Sequence, residues 1–330
     1  MKAIIPVAGI GSRLRPHTHT QPKALVPVAG KPILAHIIDS LIKEGVEDFI
    51  FVIGYFGDKV QSFVEHNYSH KRISFEVQSI KEGIGQAIYM ANNQIHEGDE
   101  LLIVLGDTIF NVDFGAVLEM SYSCFGVKKV EDPRDFGVVE LDEDGYVKKA
   151  VEKPLIPKSN LAMVGLYKFK EGKALMDALG YNIEHDIRTH NQFQLTDGIM
   201  RMIENGTKFR TFAVEDWYDC GRKDILLATN AMLLNKIRVP ESLPLFENTI
   251  IIQPVSIPVN CTISNSIIGP NVSIGENTQI SNSIVKNSII GSYSSLDNVV
   301  LFDSLVGGDA TLKGLSQRLN LGDSTEISFS

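Results

Sequence analysis

At 330 residues the chain is long for a single hydrophobic core and implies about two domains, and its 44% hydrophobic and 22% charged content excludes disorder. A net charge of -9 without a long basic run excludes a nucleic-acid partner, because neutralising a phosphate backbone takes clustered Lys and Arg. The three cysteines, Cys124, Cys220 and Cys261, stand far apart with no CxxC spacing, so neither a zinc site nor a disulfide framework follows. No apolar run approaches the roughly 20 residues of a membrane span. The short apolar run after Lys2 is broken by Pro6 and does not read as a signal peptide, so the cytoplasm is the expected location.

The first hundred residues alternate between two periodicities. Ala3 to Ala8 is almost wholly apolar, as expected of a strand buried on both faces. Pro32 then opens a helical pattern in which Ile33, Leu34, Ile37, Ile38, Leu41 and Ile42 form one stripe, stopped by Gly45. Phe49 to Ile53 predicts a second strand, Asp58 to His66 a helix and Ile73 to Val77 a third strand. Gly83 to Ile95 predicts another helix, and Leu101 to Leu105 a fourth strand. Strand, helix, strand, repeated, predicts an α/β fold: a Rossmann-like, mostly parallel sheet with helices on both faces. Ligands in such sheets sit at the carboxyl ends of the strands, where the glycines after Ala8 and the Gly106-Asp107 pair fall.

Beyond about residue 245 charge thins out, Asn and Ser multiply, and aliphatic residues recur every six positions. Ile257 and Ile263 are followed by Ile268, Ile274 and Ile280, then Ile284, Ile290 and Leu296, then Val300, Val306 and Leu312. The slips between series are five, four and four residues. Neither the helical period nor simple strand alternation gives that beat; a hexapeptide β-helix, with one inward aliphatic per flat face, does. Ordinary short antiparallel strands are the competing reading. The expected division is a catalytic domain over 1–240 and a short left-handed β-helix over 241–330.

Gly9-Ile10-Gly11-Ser12-Arg13-Leu14-Arg15-Pro16 follows the first strand, where glycines let backbone N–H groups approach phosphate oxygens and arginines add bidentate charge. The segment is not a P-loop, because no Lys-Ser or Lys-Thr follows at the required spacing. It is not a dinucleotide fingerprint either, since the third glycine is missing. By itself it could equally be a tight turn with solvated arginines. It continues, however, into Pro22-Lys23-Ala24-Leu25-Val26-Pro27-Val28 and Gly30-Lys31-Pro32. Val77-Gln78 with Gly83, Leu105-Gly106-Asp107, Asp135-Phe136-Gly137-Val138-Val139-Glu140, Glu152-Lys153-Pro154, Gly165-Leu166-Tyr167 and Trp217-Tyr218-Asp219-Cys220-Gly221 follow in order. Over residues 1–235 this ordered set closely resembles the sugar-1-phosphate nucleotidyltransferases, among them glucose-1-phosphate thymidylyltransferases and uridylyltransferases.

The resemblance implies condensation of a nucleoside triphosphate with a sugar 1-phosphate, the sugar phosphate attacking the α-phosphorus in line as pyrophosphate leaves. The attacking phosphate is already largely ionised, so the catalyst must supply cations and alignment rather than a strong base. It further implies that Asp107 and Asp219 hold Mg2+, a hard cation that often uses only one or two protein carboxylates beside substrate phosphates. Arg13 and Lys23 would meet the triphosphate, with Ala8, Gly9, Gly11 and Ser12 lining the loop. Lys153 would hold the sugar phosphate, with Gly137, Glu152 and Gly165 on the sugar side. Gln78 and Gly83 would read the base. A Gln amide offers one donor and one acceptor, matching the O4 and N3–H edge of thymine or uracil, so dTTP or UTP is expected, with glucose 1-phosphate as partner.

Two departures from the family pattern stand out. Asn191-Gln192-Phe193-Gln194-Leu195-Thr196-Asp197 replaces a common Gly-Glu-Leu before the Thr-Asp pair, which puts the sugar's identity in doubt, and Ala8 and Ser12 stand for the common Gly and Thr. Relatives with an acetyltransferase in the β-helix half typically rely on a His base there, and all eight histidines of this chain, the last being His190, precede it. The β-helix is therefore expected to be structural and to mediate a homo-oligomer, since flat exposed faces and open coil ends tend to pair. A non-catalytic regulatory or scaffold relative is the alternative, against which the intact Arg13, Lys23, Asp107, Lys153 and Asp219 argue.

Overall fold

The apolar run at the N-terminus forms Lys2–Pro6 (β1), whose Ala3, Ile4 and Ile5 are fully buried. In the computed structural model, which describes residues 1–236, 245–314, 316–317 and 319–328, this strand lies within a nine-stranded sheet. The helix expected after Pro32 is Ile33–Lys43 (α1), burying Ile33, Leu34, Ile37, Ile38 and Leu41. It closes with Gly45 N–H donating to Ile42 O and Val46 N–H to Leu41 O, a paired C-terminal cap. Asp48–Ile53 (β2), Gly57–Tyr68 (α2) and Arg72–Val77 (β3) follow as expected. The helix expected to run from Gly83 to Ile95 is shorter, Ile84–Tyr89 (α3), with a separate 3-10 turn at Asn92–Gln94. The helix ends as its bonding tightens to three-residue steps, Ala91 N–H donating to Ile88 O at 3.1 Å and Gln94 N–H to Ala91 O at 2.9 Å.

Leu101–Val104 (β4) pairs parallel with β1, which pairs parallel with β2, and β2 with β3. Beyond β4 the sheet turns antiparallel. Cys124–Lys129 (β5), Gly137–Leu141 (β6), Val147–Glu152 (β7) and Leu161–Phe169 (β8) extend it in the order β7-β6-β8-β4-β1-β2-β3, and β5 joins at β8. Gly172–Glu184 (α4) and Leu195–Glu204 (α5) pack on the core built around Ile4, Ile50, Ile103, Phe125 and Phe169. The sheet is thus parallel in the half that carries the glycine-rich turn and mostly antiparallel in the half that carries Gly137, Glu152 and Gly165, where the ninth strand, Arg210–Ala213, pairs parallel with β5.

From Ile250 onward three five-stranded parallel sheets alternate along the chain, the arrangement of a left-handed β-helix. Ile263 pairs with Ile280, Ile280 with Leu296 and Leu296 with Leu312, so a turn takes seventeen residues and then sixteen. The inward positions include Ile268, Ile274, Ile280, Ile290, Leu296, Val306 and Leu312, as the repeat predicts. Two expected positions are corrected. Ile284 is 37% exposed, and Val300 points away from the axis; Val285 and Leu301, each one residue further on, fill the core with no exposure. Period-two alternation within the short strands moves each of those slips from four residues to five. The corners explain the abundant Asn: Asn265, Asn282 and Asn298 stack in one column, all with φ between 50° and 59°, a conformation Asn tolerates well.

The described residues fall into two compact units, one of Met1–Gly9 with Ile37–Trp217 and one of Ile10–His36 with Tyr218–Ser330. The expected boundary at 240/241 lies outside the described residues. Lys223–Lys236 (α6) belongs to the second unit, where Asn230 accepts from Ala29 N–H at 2.8 Å and from Ser273 Oγ at 2.6 Å. No helix among the described residues is long and apolar enough to cross a membrane.

Candidate active site

Within the second unit the glycine-rich segment folds into three short 3-10 turns, Ser12–Leu14, His17–His19 and Lys23–Leu25. Thr18 Oγ1 donates to Gly11 O at 2.9 Å, closing the loop on itself. Lys23 is only 7% exposed, and its Nζ lies 2.9 Å from Asp219 Oδ1; Arg13 Nη2 lies 3.0 Å from Asp219 Oδ2. Gly221 N–H adds a third donor to Asp219 Oδ1 at 3.1 Å. Burial alone would push the Asp219 carboxyl up, but Lys23 and then Arg13 outweigh it and hold it below the usual carboxylate value. Two cations thus converge on one carboxylate, and cations gathered in this way are suited to meet a polyanion.

Gly221, to which sequence reasoning assigned no role, makes that gathering possible. A Cβ there would lie 2.8 Å from Arg13 Nη2 and 2.9 Å from both Lys23 Nζ and Asp219 Oδ1. Of the other loop positions, Ala8 is buried and its O accepts from Tyr55 N–H at 3.3 Å, Gly9 has open space around its Cα, and Ser12 is exposed.

In the first unit Gln78 and Gly83 are brought together. Gln78, 7% exposed, uses its Nε2 to donate to Gly83 O at 3.1 Å and to Gln86 Oε1 at 2.7 Å. Gly83 sits at φ 115°, and a Cβ there would meet Phe193 O at 2.4 Å, so only glycine fits. Gln86, in the first turn of α3, carries no motif signal and was not foreseen. With both Nε2 hydrogens engaged, Gln78 presents its Oε1 as an acceptor.

A third group forms where β6 and β7 pair. Gly137 stands opposite Glu152, and Lys153, at φ 42°, donates its backbone N–H to Phe136 O at 3.0 Å. Glu152 Oε2 accepts from Thr196 Oγ1 at 3.2 Å. Burial raises the Glu152 carboxyl, opposed by Lys153 and the Thr196 hydroxyl and reinforced by Asp197. Asp197 Oδ1 accepts from Thr189 Oγ1 at 3.0 Å. Gly165 lies in β8, where its O accepts from Leu105 N–H at 3.0 Å. Asp107 occupies the turn after β4 and accepts from Thr108 Oγ1 at 3.2 Å. Among the described residues no three His, Cys, Asp or Glu side chains form a metal cage.

Residues 2–236 match the family described as Nucleotidyl transferase. The chain belongs to that family. Among curated relatives of this nucleotidyl transferase, the "Bifunctional protein GlmU" of Methanocaldococcus jannaschii is 36% identical over 76% of the chain. The chain spans only 59% of that protein's length. A glucose-1-phosphate thymidylyltransferase of Streptomyces griseus is 30% identical over 96% of this chain and 88% of its own. Among solved structures, one described as a glucose-1-phosphate thymidylyltransferase from Bacillus anthracis, in complex with sucrose, superposes with a TM-score of 0.61. It is 26% identical, covering 73% of this chain and 98% of that one.

Proposed function

We propose that this nucleotidyl transferase condenses a nucleoside triphosphate with a sugar 1-phosphate, dTTP or UTP and glucose 1-phosphate being the favoured pair. The observation that carries the reading is the Arg13–Lys23–Asp219 group, two cations on one ionised carboxylate. An arriving triphosphate competes with Asp219 for Arg13 and Lys23. Its charge is met by side chains already collected for it, which is how fixed cations lower the barrier to phosphoryl chemistry. Lys153 holds the sugar phosphate, while Glu152 and Gly137 face its sugar and Gly165 lines that side. The Gln78 Oε1 accepts from the N3–H that thymine and uracil share.

Asp107 and Asp219 are the carboxylates assigned to Mg2+. Asp219 fits by its donor chemistry, being an ionised oxygen ligand whose present partners are cations that a triphosphate would draw away. Mg2+ bound there would neutralise charge on the phosphates. The division into a catalytic domain over 1–240 and a β-helix over 241–330 that joins copies of the chain, and a cytoplasmic location, belong to the same reading.

Pyrophosphate release, measured with Mg2+ across dTTP, UTP, GTP, CTP and ATP and several sugar 1-phosphates, tests it. Release is expected with dTTP or UTP and glucose 1-phosphate; no release from any pairing would favour the non-catalytic alternative. Asp107→Asn should stay folded and lose roughly 100-fold in turnover, the scale for a group that stabilises transition-state charge. Near-normal turnover in that variant would sink the metal assignment.

A further inference from the structure

The β-helix was expected to serve assembly alone, yet its last described coil reaches the glycine-rich segment within the same unit. His17, 3% exposed, donates from Nε2 to Asn320 Oδ1 at 2.6 Å. Thr20 Oγ1 donates to Asp323 Oδ2, and Asp323 Oδ1 accepts from Gly308 N–H at 2.8 Å, which ties that carboxylate back to the preceding coil. Between Asn320 and Asp323, Gly322 lies so close that an added Cβ would stand 3.0 Å from Pro16 Cβ. The coil thus grips residues 16, 17 and 20, the stretch that joins Arg13 to Lys23.

Those grips pass inward by packing. A Cβ at Gly11 would meet Lys23 Cβ at 2.9 Å and Thr18 Cγ2 at 3.0 Å, so Thr18 and Lys23 both close on Gly11. Beside the grips the packing is open: a cavity of about 240 Å³ separates His17, Gln21 and Pro27 from Tyr293 and Gly307 of the coils. The two side-chain hydrogen bonds and the Pro16–Gly322 contact therefore help to position the segment. Asn320 and Asp323 also fall outside the aliphatic repeat, so forming the β-helix core does not require them.

We infer that Asn320, Gly322 and Asp323 are positioning residues that hold Arg13 and Lys23 in place, making the last coil of the β-helix a part of the nucleotide-binding apparatus. The inference rests on the reading of Arg13 and Lys23 as triphosphate ligands. It differs from a purely structural role in acting on one substrate and on one segment.

Two measurements on the full chain test it, with Asn320→Ala, Asp323→Ala and the conservative Asp323→Asn, whose Oδ1 still accepts from Gly308 N–H while its Nδ2 donates to the Thr20 hydroxyl. Amide hydrogen exchange over residues 10–25 should speed up by roughly tenfold in both alanine variants, the fold-change of about one lost hydrogen bond. Exchange over residues 262–306, which Asp323 does not touch, should be unchanged, and Asp323→Asn should restore protection. The KM for the nucleoside triphosphate should rise roughly fivefold to tenfold while the KM for the sugar 1-phosphate stays as in the wild type. Unchanged loop exchange overturns the inference, and so does faster exchange spread evenly through the coils or a rise in both KM values together. The exchange measurement needs no substrate. A wild-type chain that releases no pyrophosphate would therefore sink the catalytic reading, while loop exchange still decides whether the coil holds the segment.

Discussion

Asp219 shows how much a single side chain depends on what surrounds it. In the sequence it is one acid among the 40 Asp and Glu of the chain; in the fold it bridges Arg13 and Lys23, residues about two hundred positions away along the chain. Gly221 is the less obvious partner, since its missing side chain is what lets three charged groups meet. The atoms that a Cβ at Gly221 would crowd are the far ends of Arg13 and Lys23 and the carboxylate of Asp219, side-chain atoms that can shift without disturbing the backbone. Gly221→Ala should therefore unfold at the wild-type temperature yet lose tenfold or more in turnover, because roughly ångström-scale misplacement of catalytic groups costs that much. Thermal unfolding beside steady-state kinetics checks this, and wild-type turnover in the variant would show that the cations tolerate displacement.

At the scale of elements, helices and buried strands of the first unit form close to where periodicity puts them, because burial on one stripe or both faces is written in spacing. The departures have local causes: three-residue hydrogen-bond steps from Ala91 onward shorten α3, and the tight alternation of three-residue strands carries Val285 and Leu301 inward in place of Ile284 and Val300. The two sets predict different energetics. Leu301→Ala should cost about 2–5 kcal/mol, the range for emptying a packed core position. Ile284→Ala, at a partly exposed site, should cost less than about 1 kcal/mol. Denaturant midpoints for the β-helix transition compare them, and equal losses would mean that both faces of the strand are packed.

Among the described residues, one hydrophobic core gathers around the mixed sheet and another runs along the β-helix axis, with no residue in common. Two cores of this size predict more than one unfolding transition, so the van't Hoff enthalpy should fall below the calorimetric one. Under the proposed function, dTTP with Mg2+ should stabilise the chain by about 2.7 kcal/mol at a hundredfold excess over Kd, since a ligand that binds only the folded state shifts it by mass action. Scanning calorimetry with and without the pair reads both. A single transition with matching enthalpies, or no shift with any nucleotide, would count against the respective claim.

The α/β alternation, the coiled repeat and most of the charged residues of the candidate site were legible in the sequence. Short-range spacing dictates burial, and glycine-rich turns at strand ends announce themselves. Motif order named Arg13, Lys23, Asp107, Lys153 and Asp219 without showing what any of them touches. Only the tertiary structure decided that Asp219 is shared by two cations, that the Gln78 amide nitrogen is spent on Gly83 and Gln86, and that Asn320 and Asp323 grip the glycine-rich segment. These last contacts join residues some three hundred positions apart, and no local period encodes a pairing that arises only after the coils have stacked.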